Sequence, residues 1–169
     1  GLIEAREVVP PRLFARRDEI WNATMRALDL QRTLPLTLCH GDVHLKNWYV
    51  TETGEIGLGD WGVTHRGHWS RDLAYMIATA LDPADRRAWE GDLIALHGEA
   101  MDAAGGAKPD ADSARLEYRR ALMTALAFWT MTLKPSDAFP DMQPAETALT
   151  FIVGLATALD DHGSLDACA

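Results

Sequence analysis

The sequence predicts a mainly α protein with one small β-hairpin, an α+β arrangement in a single domain over residues 1–169. Three observations predict it. Apolar residues recur at helical spacing in several separate stretches. One stretch, "NWYVTETGEIGLGDW", alternates instead and turns at "TETGE", as a hairpin does. The breaks between stretches, "TLP", "AGGAKPD" and "KPSDAFP", carry the proline and glycine that end helices. A length of 169 residues with 47% hydrophobic content suffices for one buried core.

Residues 1–35 are read as a leading helix, with Ile20, Thr24, Ala27 and Leu28 recurring between Phe14 and Leu30. Residues 36–70 hold a short β-prone run, "LPLTLCH", then a polar loop, the hairpin, and a glycine- and aromatic-rich loop, "WGVTHRGHWS". Residues 71–169 are helical. "SRDLAYMIATAL" is expected to start at Ser70 as N-cap, and the next helix to have Asp82 as N-cap and Pro83 at its first position. That helix is expected to bury Trp89, Leu93, Leu96 and Ala100. Leu122, Leu126, Trp129 and Leu133 form a further stripe, and Ala145, Leu149, Ile152, Ala156 and Leu159 the last. The tryptophans and methionines on these stripes read as core packing.

The net charge of −9 argues against nucleic acid as a partner, because such binders need a clustered cationic surface. The arginine pairs Arg16/Arg17, Arg86/Arg87 and Arg119/Arg120 sit among acids and read as solvated helix faces. The longest uncharged apolar run, Ala121 to Leu133, is shorter than the ~20 residues of a membrane span. The N-terminus lacks the apolar segment of a secretory signal. Two cysteines, Cys39 and Cys168, are too few for a disulfide framework. Together these features predict a soluble, cytoplasmic protein.

"LCHGDVHLKN" crowds His40, Asp42, His44, Lys46 and Asn47 into one loop. The hairpin that follows folds back on itself, so Asp60 at its far end is expected to return near Asn47. An amide oxygen and a carboxylate then face one cavity. Magnesium takes such hard oxygen ligands together with water and substrate phosphates. Asp42, five residues before Asn47, faces the same cavity and is free to accept a proton from a hydroxyl. Phosphoryl transfer divides its labour in this way.

"HGDVHLKN", then "GDW", then "RDLAYM" resemble, in that order, the catalytic lobe of the aminoglycoside phosphotransferase and choline kinase superfamily. These are small-molecule kinases with a protein-kinase-like fold. Their catalytic loop has the form HGDxHxxN, matched here at His40, Gly41, Asp42, His44 and Asn47. The resemblance implies that Asp42 is the catalytic base and that Asn47 and Asp60 are the magnesium ligands. It implies that Trp61 stands where the protein kinases' DFG motif has phenylalanine, and that Asp72 hydrogen-bonds the catalytic-loop backbone. His40 is implied to orient that loop, and His44 to approach the transferred phosphate as a cofactor-binding residue. Mg2+ and ATP are the implied cofactor and co-substrate, and a hydroxylated small molecule the acceptor.

Two departures from the family pattern stand out. Lys46 occupies a position where relatives often have glycine, and is read as a surface residue. The glycine-rich nucleotide loop and the strand lysine paired with a helix glutamate do not occur; "GEIGLG" at 54–59 follows the catalytic loop and belongs to the hairpin. The chain is therefore expected to be the C-terminal lobe of a longer kinase, with an N-terminal nucleotide lobe as its partner.

Two other readings compete. A zinc- or manganese-dependent hydrolase would use His40, Asp42 and His44 with His65 and His68, although Gly41 leaves their geometry open. A non-catalytic helical module would keep these residues for packing or binding. For the acceptor, Asp82, Asp85, Glu90, Asp92 and Glu99 offer either attraction for a cation or plain solvated surface. Trp69, Trp89 and Trp129 offer either a pocket wall or core.

Overall fold

The computed structural model of the protein describes residues 1–140 and 142–168. Its elements are α1 (Pro11–Ala15), α2 (Arg17–Arg32), β1 (Thr37–Cys39), β2 (Trp48–Val50), β3 (Ile56–Leu58), β4 (His65–Gly67), α3 (Ser70–Ala80), α4 (Pro83–Ala103), α5 (Ala111–Leu133) and α6 (Ala145–Asp161). Single 3-10 turns occur at Leu45–Asn47, Trp61–Val63 and Asp166–Cys168. The fold is the expected α+β one, mainly helical with small antiparallel strand pairs.

α5 is the central element and packs against α2, α3 and α6. Tyr118, Ala121, Leu122, Leu126 and Trp129 of α5 are fully or almost fully buried. They meet Ala23 and Ala27 of α2, Ile77 and Ala78 of α3, and Ile152, Leu155 and Leu159 of α6 in one core. Small residues let the helices approach closely. A Cβ built on Gly154 of α6 would stand 2.0 Å from the Ala78 carbonyl oxygen, so only glycine fits that crossing. No helix of the described residues is long and apolar enough to cross a membrane.

The hairpin forms where the alternation placed it, with Trp48 opposite Leu58 and Val50 opposite Ile56. Several local expectations are corrected. The leading segment is two helices, parted at Arg16, where φ −100° and ψ 16° leave the helical range. The loop after Asp60 contains a strand, β4, which pairs with β1 from Thr37–Gly67 to Cys39–His65. Its three residues, His65, Arg66 and Gly67, carry no apolar alternation to announce it. Ser70 does not cap α3. Trp69 before it is already helical, and the buried Ser70 Oγ lies 2.8 Å from His68 Nδ1 instead. Asp82 stands at the N-cap of α4 with Pro83 after it, yet its side chain makes no capping bond.

The face that α4 buries also differs from the expected one. Trp89 and Leu96 are half or more exposed, and Arg86, Ile94 and Gly98 point inward. Arg86 takes the inward position because its charge is met there. One guanidinium nitrogen donates to Glu90 Oε2 at 2.6 Å and the other to Asp161 at the end of α6. Glu90 also receives His162 Nε2 at 2.8 Å, and Arg87 Nε donates to Asp161 at 2.8 Å. This network ties the start of α4 to the end of α6. It removes Arg86 from the solvated pairs and Glu90 from the acids open to a ligand. Asp82, Asp85, Asp92 and Glu99 are exposed. Trp69 and Trp129 are core. Cys39 and Cys168 are free and buried, and burial, with the nearby Asp72 charge, pushes the Cys39 thiol up to about 11.

Candidate active site

β1 ends at Cys39 and the chain turns sharply at Gly41, where φ is 87°. A side chain there would be strained, and its Cβ would meet the Val63 carbonyl oxygen at 2.8 Å. The turn is pinned to α3: Asp72, in the first turn of that helix, accepts the His40 N–H at 2.6 Å and the Gly41 N–H at 3.1 Å. His40, 4% exposed, braces the loop from the other side. Its Nε2 faces the Gly59 carbonyl oxygen at 2.8 Å and its Nδ1 faces the Asp42 N–H at 3.2 Å. A nitrogen facing a carbonyl must carry the proton and one facing an N–H must not, so His40 is the neutral Nε2–H tautomer. Trp61 packs edge-on against its ring, with 4.7 Å between centroids.

The loop so held presents Asp42. Tyr75 of α3 donates its hydroxyl to Asp42 Oδ1 at 2.7 Å. Asn47 Nδ2 donates to Asp42 Oδ2 at 3.1 Å and to the Asp42 carbonyl oxygen at 2.8 Å. Both of those atoms only accept, which fixes the Asn47 amide orientation and leaves its Oδ1 as the atom able to ligate. His44 Nε2 lies 3.5 Å from Asp42 Oδ2. Expected to approach a phosphate, His44 is enclosed at 3% exposure between Trp129 of α5 and Phe151 of α6, with centroids 5.9 and 5.8 Å away.

The hairpin delivers Asp60 by a backbone bond. The Gly59 N–H donates to the Asn47 carbonyl oxygen at 2.8 Å, so the residue before Asp60 is clasped to the loop's last position. Asp60 itself is exposed and left-handed, at φ 56° and ψ 64°. One amide oxygen and one carboxylate on adjoining segments are a donor set that fits magnesium, which leaves the rest of its shell to water and phosphate.

The other candidate ligands do not join them. His65 Nδ1 faces the Val63 carbonyl oxygen at 3.1 Å, and its Nε2 is met by Arg71 at 2.9 Å. His68 is buried beside Ser70. Among the described residues no three His, Cys, Asp or Glu side chains converge on a metal position, so the five-residue hydrolase site does not assemble. Lys46 Nζ donates to Thr147 Oγ1 at the surface, at 3.3 Å.

The model of the phosphotransferase enzyme family matches residues 2–108, more than half of the chain. The chain belongs to the phosphotransferase enzyme family. No curated protein and no solved structure matches it significantly. The matched span of this chain contains every candidate site residue from His40 to Asp72. Trp129 and Phe151, which enclose His44, come from helices beyond it.

Sequence reasoning missed Tyr75. The signal was present, because Tyr75 stands three residues after Asp72 and so shares its face of α3. Burial, and then the hydrogen bond to Asp42, raise the Tyr75 pKa far above the ordinary phenol value, so the hydroxyl stays a donor.

Two histidines make the stability of this chain depend on pH. Burial lowers the pKa of His68 and of His97, which stacks on Trp69. With folded values below the unfolded value of about 6.5, the unfolded chain binds more protons as pH falls. Their stabilising contribution is present above that value and is lost as pH drops through it toward the folded values. The urea midpoint should therefore fall between pH 7.5 and pH 5.5, and fall less when both histidines are replaced by glutamine. A midpoint that does not move, or moves equally in the double variant, refutes this assignment.

Proposed function

We propose that this phosphotransferase is an ATP-dependent kinase of a small-molecule hydroxyl, acting in the cytoplasm, and that this chain is its catalytic and acceptor-binding lobe. The nucleotide-covering lobe belongs to an N-terminal part of the parent protein. The observation that carries the reading is the held carboxylate. Asp42 sits at the open end of a loop pinned by Asp72 and His40, with donors from Tyr75 and Asn47 fixing its plane. A carboxylate so fixed accepts the hydrogen bond of an acceptor hydroxyl, aligns its oxygen for in-line attack and takes its proton as the oxygen bonds to the γ-phosphorus of ATP and the bond from that phosphorus to the leaving ADP oxygen breaks. Asn47 Oδ1 and the Asp60 carboxylate would hold magnesium, which when bound would neutralise charge on the ATP phosphates. His44 supports Asp42 from behind. The helices after Asp72 supply the acceptor wall.

Asp60 provides the direct test of the metal assignment. Asp60→Ala in the parent protein should abolish magnesium-dependent ATP binding measured by titration calorimetry, with only a modest drop in melting temperature, because the side chain is exposed but alanine tolerates the left-handed backbone less well than aspartate. Magnesium-dependent binding as tight as in the wild type would remove Asp60 from the site.

A further inference from the structure

We propose that Tyr75 is a positioning residue for this reaction, fixing Asp42 so that one lone pair of Oδ1 is held open to the acceptor hydroxyl; the inference rests on the kinase reading above. A carboxylate offers about four acceptor positions. Oδ2 takes Asn47 Nδ2 at 3.1 Å and faces His44 Nε2 at 3.5 Å. The His44 tautomer follows from its surroundings, since its Nδ1 is buried with no partner among the described residues. A proton on Nδ1 would leave a buried donor unpaired and turn the Nε2 lone pair against the carboxylate. A proton on Nε2 instead faces Asp42 Oδ2 across 3.5 Å, without a hydrogen bond, and leaves Nδ1 a bare acceptor. Tyr75 occupies one position on Oδ1 at 2.7 Å. One position on Oδ1 remains.

Tyr75 is well placed to impose this. Its side chain is 3% exposed, and its ring stands 6.1 Å from Phe128 and 6.2 Å from Trp129, centroid to centroid. It is mounted on α3, the helix whose Asp72 holds the loop backbone. Loop and carboxylate therefore share one rigid support. Without the Tyr75 hydroxyl, Asp42 Oδ1 loses its fixed donor, the carboxylate plane is free to turn, and the attacking oxygen loses alignment.

Tyr75→Phe keeps the ring packing and removes only the donor. In the parent protein, assayed with magnesium-ATP and a panel of hydroxylated amines and sugars, it should lower kcat by about 10- to 100-fold, the worth of a hydrogen bond to a charged group. KM for ATP should stay within about twofold, since the changed contact lies on the acceptor side. In an Asp42→Ala background the same replacement should cost nothing further, because the group it positions is gone. Wild-type kcat in Tyr75→Phe, or a full additional loss in the Asp42→Ala background, overturns the proposal.

A measurement that needs no turnover separates this from the kinase reading. In this chain labelled with 13C at the aspartate carboxyls, and assigned with Asp42→Asn, Tyr75→Phe should shift the Asp42 resonance and leave that of Asp72 in place. An unmoved Asp42 resonance overturns the positioning role. A shifted resonance in a parent protein that phosphorylates none of the panel overturns the kinase reading for those acceptors and supports the Tyr75–Asp42 coupling.

Discussion

Replacing Asp42 by alanine is expected to lower the kcat of the proposed kinase by roughly 10²- to 10⁴-fold, the range a positioned general base contributes. The geometry argues for a large effect on turnover and a small one on ATP affinity. The Asp42 side chain is 22% exposed, enough to be met by a hydroxyl, and donors on both oxygens define its plane. Alanine leaves the loop itself in place, because the bonds from Asp72 to the His40 and Gly41 amides use only backbone donors. It does leave the buried Tyr75 hydroxyl without its acceptor, a cost of about 1–3 kcal/mol. Steady-state kinetics run beside a thermal melt should therefore show a steep fall in kcat, a KM for ATP close to wild type, and a modest drop in melting temperature. A variant that turns over acceptor like the wild type would remove Asp42 from the chemistry.

The second large effect lies at the opposite end of α3 from the loop and concerns stability alone. Arg86→Met should destabilise the fold by about 3 kcal/mol, toward the low end of what removing one partner of a buried ion pair costs. Arg86 is fully buried and holds two carboxylates on different helices. Its loss leaves both short of a cation, though not bare. Asp161 keeps Arg87 and Glu90 keeps His162, which is why the upper end of the range is not expected. In a chain of this length the melting temperature should drop by about 10 °C. Adding Glu90→Gln and Asp161→Asn to Arg86→Met should restore part of the loss, since the uncompensated charge is what costs most. A melting temperature within 2 °C of wild type in Arg86→Met would show that the network contributes little.

The candidate loop was readable from sequence because its residues are close neighbours in the chain. His40, Asp42, His44 and Asn47 fall within one turn-rich segment, and Asp60 follows from a hairpin whose turn residues are explicit. The "RDLAYM" segment marked Asp72 as the loop's anchor. Tyr75, in the same segment, escaped because a buried tyrosine on a helix has no local mark of its hydrogen-bond partner.

What escaped depended on distant residues. The enclosure of His44 comes from Trp129 and Phe151, on helices far along the chain. The inward turn of Arg86 depends on Asp161. A pattern that sorts arginine outward and tryptophan inward could not find a face of α4 with Arg86 buried and Trp89 half exposed. β4 was invisible for a related reason, since its pairing is specified by β1 and not by alternation of its own.

The left-handed backbone of Asp60 sets a conflict for any selection based on robustness. Side chains other than glycine pay roughly 1 kcal/mol or more in that conformation, with aspartate and asparagine the most tolerant. Glycine would relax the peptide and carry no oxygen; asparagine would sit as comfortably and carry no charge. The replacements that heat-resistance screening rewards at position 60 are thus the ones that disarm the proposed site. A library sorted on thermal endurance alone would drift away from aspartate there, and its retention would have to be imposed by selecting for phosphate transfer.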